Sequence, residues 1–202
     1  MRGELTAKGR ATRSRIVEGA AAVLREKGVG SATLDDVMAR TSTSKSQLFH
    51  YFPSGKDELL LAVARFEAER VLEDQQPQLG RLDSWEAWER WRDVVVERYE
   101  AQGDQCPLGA LFRQIGQATP GARAIVIELT RRWQESLAAG VRELQGAGLL
   151  PAGLDVDTRA AALLAAIQGG VSILLSTGRS THLRAALDQG IADLRQAGDA
   201  MA

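Results

Sequence analysis

A chain of 202 residues is long enough to bury a sizeable core unaided, and its single cysteine, Cys106, excludes an intrachain disulfide. With two histidines beside that cysteine, no dedicated zinc site is expected, and 45% hydrophobic residues with only 5% aromatics and five prolines favour an all-α protein. The net charge of −1 is uneven: residues 1–56 hold ten Lys and Arg against five Asp and Glu, leaving −6 on the remainder, a pattern that suits phosphate contact at one end.

In chain order, residues 1–11 are polar and basic, with Arg2, Lys8 and Arg10. They fit either a basic arm for a minor groove or phosphates, or a solvated tail. The absence of an apolar h-region argues against a signal peptide, and a reducing cytoplasm is expected. Thr12 opens a helix with the apolar stripe Ile16, Ala20, Val23 and Leu24, which Gly28 ends. Thr33 is a natural N-cap for a short helix that buries Leu34, Val37 and Met38. Thr41-Ser42-Thr43 breaks that helix, and Ser44 caps another in which Leu48 points inward. Lys45, Ser46, Gln47, Phe49 and His50 take its outward arc. Two short helices joined by about three residues, at 33–52, form the geometry that lays a second helix in a major groove. Lys and Gln there can hydrogen-bond purine edges, although a helical hairpin in an all-α core has a similar pattern.

Phe52 and Pro53 close this unit, and Ser54-Gly55 lead to Lys56 at the start of a long helix over 57–76, where amides and a cation together favour a phosphate. Pro77 and Gly80 end it. DSWEAWERWRDVVVERYEAQ follows, capped by Asp83 or Ser84. Trp85, Trp88 and Trp91 step by three in it, a drift that takes at least one tryptophan off the core face. CPLGALFRQIG is a short element. A helix over 121–145 turns Ile125, Leu129, Trp133 and Leu137 inward. Asp155 or Asp157 caps the next helix, whose apolar run 160–175 is shorter than a bilayer span and reads as a buried helix. HLRAALDQGIADLRQAG forms the last. Roughly nine helices result, divided into a head, 1–56, and a body, 57–202. No solenoid repeat, nucleotide-binding fingerprint or nucleophile elbow occurs, so neither enzyme activity nor a cofactor is expected.

The string SKSQLFHYFPSGKDEL, with TLDDVMARTSTS leading in and an amphipathic helix before it, closely resembles the TetR family of bacterial transcriptional regulators over about residues 10–62. The resemblance implies a homodimeric repressor on double-stranded operator DNA, released by a small hydrophobic ligand. It assigns Lys45, Ser46, Gln47 and Phe49 to bases and Thr33, His50, Tyr51 and Lys56 to the DNA backbone. Phe49 replaces a frequent Tyr, which favours a thymine-methyl contact. FPSGKDEL carries one residue more than the commonest form of the motif. CPLGALFRQIG, RRWQESL and LLAAIQGG look most like the branch of the LmrA and YxaF type repressors.

Dimerisation is expected through the last two long helices, 155–178 and 181–196. Ala161, Ala165, Gly169 and Gly170 would give close approach, and Leu163, Leu164, Ile167, Leu174 and Leu187 apolar area. A ligand cavity is expected among Trp88, Trp91, Phe112, Ile115, Trp133, Ile167 and Gln168, suited to a flat aromatic or amphipathic effector, unless these side chains simply fill the core. The competing readings are a helical small-molecule carrier or enzyme, and a protein-binding adaptor.

Overall fold

Thr6, not Thr12, starts the first helix of the computed structural model, which describes residues 5–102 and 119–200. Arg2, Cys106, Phe112, Ile115 and the element CPLGALFRQIG lie outside the described residues. Helix α1 spans Ala7–Lys27, with the Thr6 hydroxyl accepting from Gly9 N at 3.1 Å, so Lys8 and Arg10 are helical rather than part of an extended arm. Arg10 also donates to Leu5 O at 2.7 Å. Arg25 and Lys27 sit in the last turn, where cations oppose the helix dipole, and Gly28 leaves at φ 79°, a region that favours glycine.

Helices α2 (Leu34–Thr41), α3 (Lys45–Tyr51) and α4 (Lys56–Glu73) follow. The turn between α2 and α3 passes through Ser42 at φ 47°. Val37 and Thr41, one turn apart, are the buried side of α2, while Leu34 and Met38, beside that line, are only half-buried. Gly19 makes that contact possible: a Cβ there would lie 2.2 Å from Thr41 Cγ2. The Thr41 hydroxyl donates to Val37 O at 2.7 Å and lies 2.8 Å from the Thr43 hydroxyl, so the buried turn has its polar groups matched.

The described residues form two compact units, 5–70 with 119–127 and 71–102 with 128–200. The division falls inside α4, whose residues up to Arg70 belong to the first unit. Leu59, Leu60, Val63 and Ala64 are buried, Leu61 lies against Gly121, and the buried Glu67 pairs with Arg25 of α1.

The second unit comprises a 3₁₀ turn at Gln78–Gly80, α5 (Trp85–Gln102), α6 (Pro120–Gly146) from residue 128 on, α7 (Val156–Thr177) and α8 (Thr181–Asp199). Ser84 caps α5, accepting from Ala87 N at 3.3 Å, and Asp155 caps α7, accepting from Thr158 N at 3.1 Å. Trp88 and Trp91 are fully buried, and Trp85 is the tryptophan that leaves the core face, with the Arg195 guanidinium 5.4 Å above its ring. Arg92 bonds Asp188 at 3.0 Å and Arg195 bonds Glu89 at 2.6 Å, tying α5 to α8. Among the described residues there are eight α-helices and no strand.

Helix α7 corrects the reading of 160–175 as a buried helix. With a mean hydropathy of 1.7 over an 18-residue window it is long and apolar enough to cross a membrane by length and composition, yet only 39% of that window is buried. Ala160, Leu163, Leu164, Ile167, Gly170, Val171 and Leu174 face the core, and Ala161, Ala165, Gly169 and Ile173 face outward. Leu163, Leu164, Ile167, Leu174 and Leu187 are therefore used inside the chain, leaving the small residues and Ile173 to any partner. Gly170 sets the spacing of α7 and α8, since a Cβ would lie 2.6 Å from Leu183 Cα, and backbone cannot swing aside. Gly170→Ala is expected to destabilise the chain by about 1–3 kcal/mol by overpacking, despite the higher helix propensity of alanine, as read from the midpoint of urea unfolding.

Candidate DNA interface and ligand site

Helix α3 is positioned by what it buries. Leu48 and Phe52 are both 0% exposed, and Ser44 caps the helix by accepting from Gln47 N at 3.2 Å. A rotation of about 100° per residue then places Lys45, Ser46, Gln47, Phe49 and His50 on one exposed surface. Phe49 is 37% exposed, unusual for a large apolar side chain, and Gly55, at φ 70°, passes close to its ring edge. Tyr51 is half-buried and meets His50 edge-on, with ring centroids 4.9 Å apart.

Thr33 and Lys56 come together at the start of α2. Lys56 Nζ donates to Ala32 O at 2.7 Å, which leaves two of its three ammonium hydrogens for other acceptors. Thr33 gives its amide and its hydroxyl hydrogen to Asp36 Oδ2, at 3.0 and 2.8 Å, while its oxygen accepts from Asp36 N at 3.2 Å. In this arrangement Thr33 orders α2, and its hydroxyl must rotate away from Asp36 to donate to a phosphate.

In the second unit, Trp88 and Trp91 meet edge-on with ring centroids 5.6 Å apart. Trp88 Nε1 donates to Leu82 O at 3.1 Å and Trp91 Nε1 to Gln75 Oε1 at 2.9 Å; the buried Gln75 donates in turn to Val71 O at 2.6 Å. Trp133 and Ile167 are also buried. Gln168 departs from the expected lining: one step beyond Ile167, it lies on the exposed side of α7. Phe112 and Ile115 are outside the described residues. Among the described residues no group of three His, Cys, Asp or Glu could hold a metal ion.

Residues 16–63 match the family described as "Bacterial regulatory proteins, tetR family", and residues 81–189, more than half of the chain, match "Tetracyclin repressor-like, C-terminal domain". The chain belongs to the TetR family. The HTH-type transcriptional regulator SrpR of Pseudomonas putida is 28% identical over 163 residues, covering 78% of this chain and 72% of that protein. An uncharacterized HTH-type transcriptional regulator of Mycobacterium tuberculosis is 27% identical over 105 residues, and that match spans 52% of this chain and about half, 53%, of the relative. The fold is similar to the crystal structure of the regulatory protein TetR from Rhodobacter sphaeroides, with a TM-score of 0.69 and 22% identity over 90% of this chain and 97% of that one. It is also similar to SmeT, the repressor of the Stenotrophomonas maltophilia multidrug efflux pump SmeDEF, with a TM-score of 0.64 and 19% identity over 90% and 89%.

Several residues hold this TetR-type head through contacts that the sequence does not announce, among them Arg13 and Arg15, which from the sequence fit the same basic arm or solvated tail as residues 1–11. Arg15 bonds Thr41 O, and the Arg13 guanidinium lies 5.1 Å from the Phe52 ring centroid, so α1 holds the helix-turn-helix at its turn and at its C-terminal end. Asp36 completes a capping box with Thr33 and is bonded by Lys27 Nζ at 2.5 Å. The Thr-x-x-Asp spacing carries that signal; the Lys27 contact is tertiary and has none. The Lys27 ammonium, followed by the Thr33 amide and hydroxyl, holds the Asp36 carboxyl down at about 2 from an ordinary 3.8. A lowered carboxyl pKa contributes stability that is fully present above the ordinary value and lost as pH falls through the lowered one. The cap on α2 is therefore expected to weaken between about pH 4 and pH 2, with the Asp36 carboxyl carbon titrating near 2 by NMR in the wild type and closer to 4 in Lys27→Met.

Proposed function

We propose that this chain is a homodimeric transcriptional repressor that reads operator DNA with α3 and leaves it when a small hydrophobic or aromatic ligand occupies the second unit. TetR-family regulators bind operator DNA and act as dimers. The observation that carries the reading is the division of α3, with Leu48 and Phe52 wholly inside and Lys45, Ser46, Gln47 and Phe49 all outside on the surface a major groove would meet. The first group of these outward residues reads bases; His50, Tyr51, Lys56 and, once its hydroxyl turns, Thr33 hold phosphates. The name of SmeT, a repressor of a multidrug efflux pump, supports a hydrophobic effector class. A cytoplasmic location follows from this function. Membership of the LmrA and YxaF type branch rests on the strings CPLGALFRQIG, RRWQESL and LLAAIQGG.

The dimer forms through α7 and α8. The outward face of α7 is too apolar to be left in water, and its small side chains let a second copy approach closely. A groove of about 220 Å³ between the two helices, floored by Ala162, Ala166, Ala186 and Gly190, accepts a side chain from that copy. Ligand binding releases DNA by favouring the conformation in which the two heads no longer match their half-sites, since equal affinity for both states would change nothing.

In a gel-shift series over operator variants and salt concentrations, Gln47→Ala is expected to relax sequence preference. Lys56→Ala should weaken all sites nearly alike and flatten the salt slope by about one unit. Equal loss of discrimination in both variants would remove the assignment. Light scattering should give a dimer for the wild type and a monomer for Ile173→Asp, with operator affinity falling at least tenfold; a dimeric variant would place the interface elsewhere.

A further inference from the structure

Helix α1 is electrostatically divided. In its C-terminal half Arg25 is held by Glu67 and Lys27 by Asp36, while Lys8, Arg10, Arg13 and Arg15 of the N-terminal half have no carboxylate partner among the described residues. No acid stands in the chain between Leu5 and Glu18, nor between Asp36 and Asp57, so neither this half of α1 nor α3 carries a negative side chain of its own. The two arginines nearest the helix-turn-helix are used differently. Arg15 donates to Thr41 O and spends its guanidinium on the turn between α2 and α3. Arg13 lies over the Phe52 ring, 5.1 Å from its centroid, and makes no hydrogen bond or ion pair among the described residues.

Stacking occupies the face of a guanidinium and leaves its edge, with its five N–H donors, open. Arg13 is half-buried and Phe52 beneath it is 0% exposed, so the group is placed by packing before any partner arrives. Phe52 is the C-cap of α3 and follows His50 and Tyr51 directly, which puts the cation at the end of α3 where those two side chains leave it. Arg10, one turn before Arg13 on the same side of α1, adds a second exposed cation. A planar fork with an open edge in acid-free surroundings matches two oxygens of a phosphate. If Arg13 served only to cover Phe52, a methionine or leucine would do so without a charge.

We infer that Arg13 is a further DNA-contacting residue, taking a backbone phosphate with the open edge of its guanidinium beside the C-terminal end of α3, while Arg15 only shapes the turn. This rests on the reading that α3 enters a major groove of DNA. Arg13 supplies affinity and no base readout, yet being seated on Phe52 it ties a phosphate to the rotation of α3 and so fixes the register of that helix on the duplex.

The test uses the full chain, a short duplex selected from a random library by the wild type, and an unselected duplex of the same length. Binding is followed by fluorescence anisotropy over a salt series, and folding by urea unfolding. Arg13→Gln should bind both duplexes about tenfold more weakly, with the slope of log affinity against log salt reduced by about one unit and the preference for the selected duplex unchanged. Arg13→Lys keeps a cation without the fork, so it should restore the slope and only part of the affinity. Methylphosphonates are then placed singly along the selected duplex. One position should weaken the wild type about tenfold and leave Arg13→Gln unaffected, a coupling that a merely structural role would not produce. Arg15→Gln should lower the urea midpoint and still respond at that position. Should Arg13→Gln not fold, Arg13→Lys takes its place in the scan, where its response at that position should shrink. An unchanged salt slope in Arg13→Gln, or a variant that senses every methylphosphonate as the wild type does, overturns the inference and leaves the reading of α3 standing. Failure of the wild type to select any duplex removes both.

Discussion

Helix α3, seven residues long, cannot hold its own shape, and the first unit depends on that constraint. Two turns of isolated helix are unstable in water, so α3 exists because Leu48 and Phe52 are buried and Ser44 caps it. Full burial of such side chains contributes on the order of 1.5–3 kcal/mol each, and a cap about 1, enough to outweigh the nucleation cost. The same burial fixes the rotation of the helix. The surface presented by Lys45, Gln47 and Phe49 is thus a by-product of where the core takes hold, and α1, through Gly19, Arg13 and Arg15, sets the seat.

The second unit solves a different problem. Its core is built from large aromatic side chains whose polar edges must be satisfied. Trp88 and Trp91 are served by groups from the segment between α4 and α5, with Gln75 acting as a buried relay from Val71 O to Trp91. Gly140 gives Leu82 and Trp88 room to press against α6. Trp133 Nε1, by contrast, has no hydrogen-bond partner among the described residues.

The sequence was most legible where a local rule acts. Thr33, Ser44 and Asp155 declare their caps through their own side chains, and the outward arc of α3 follows from the helical step once Leu48 is placed. Legibility failed where periodicity was absent or saturated. The segment Ala7 to Arg10 has no apolar stripe, so its helix, set by the Thr6 cap, was read as an arm. Helix α7 is apolar almost all round, so pattern could not say that Ile167 turns in and Gln168 out. Leu34 was expected in the core and is half-buried, because the buried side of α2, an eight-residue helix, is centred on Val37 and Thr41. The unpaired indole of Trp133 and the Lys27–Asp36 bond depend on the fold and leave no trace in spacing.

The arginines of the second unit have one further consequence. Six of them, Arg92, Arg98, Arg131, Arg142, Arg184 and Arg195, each lie within 3.4 Å of a carboxylate oxygen, so a phosphate arriving at one of these must displace a carboxylate already in place. An encounter with DNA through these six groups would gain little from counterion release. For a chain that docks on DNA through its first unit, as proposed, the acidic residues of the second unit would shorten the time lost in wrong orientations.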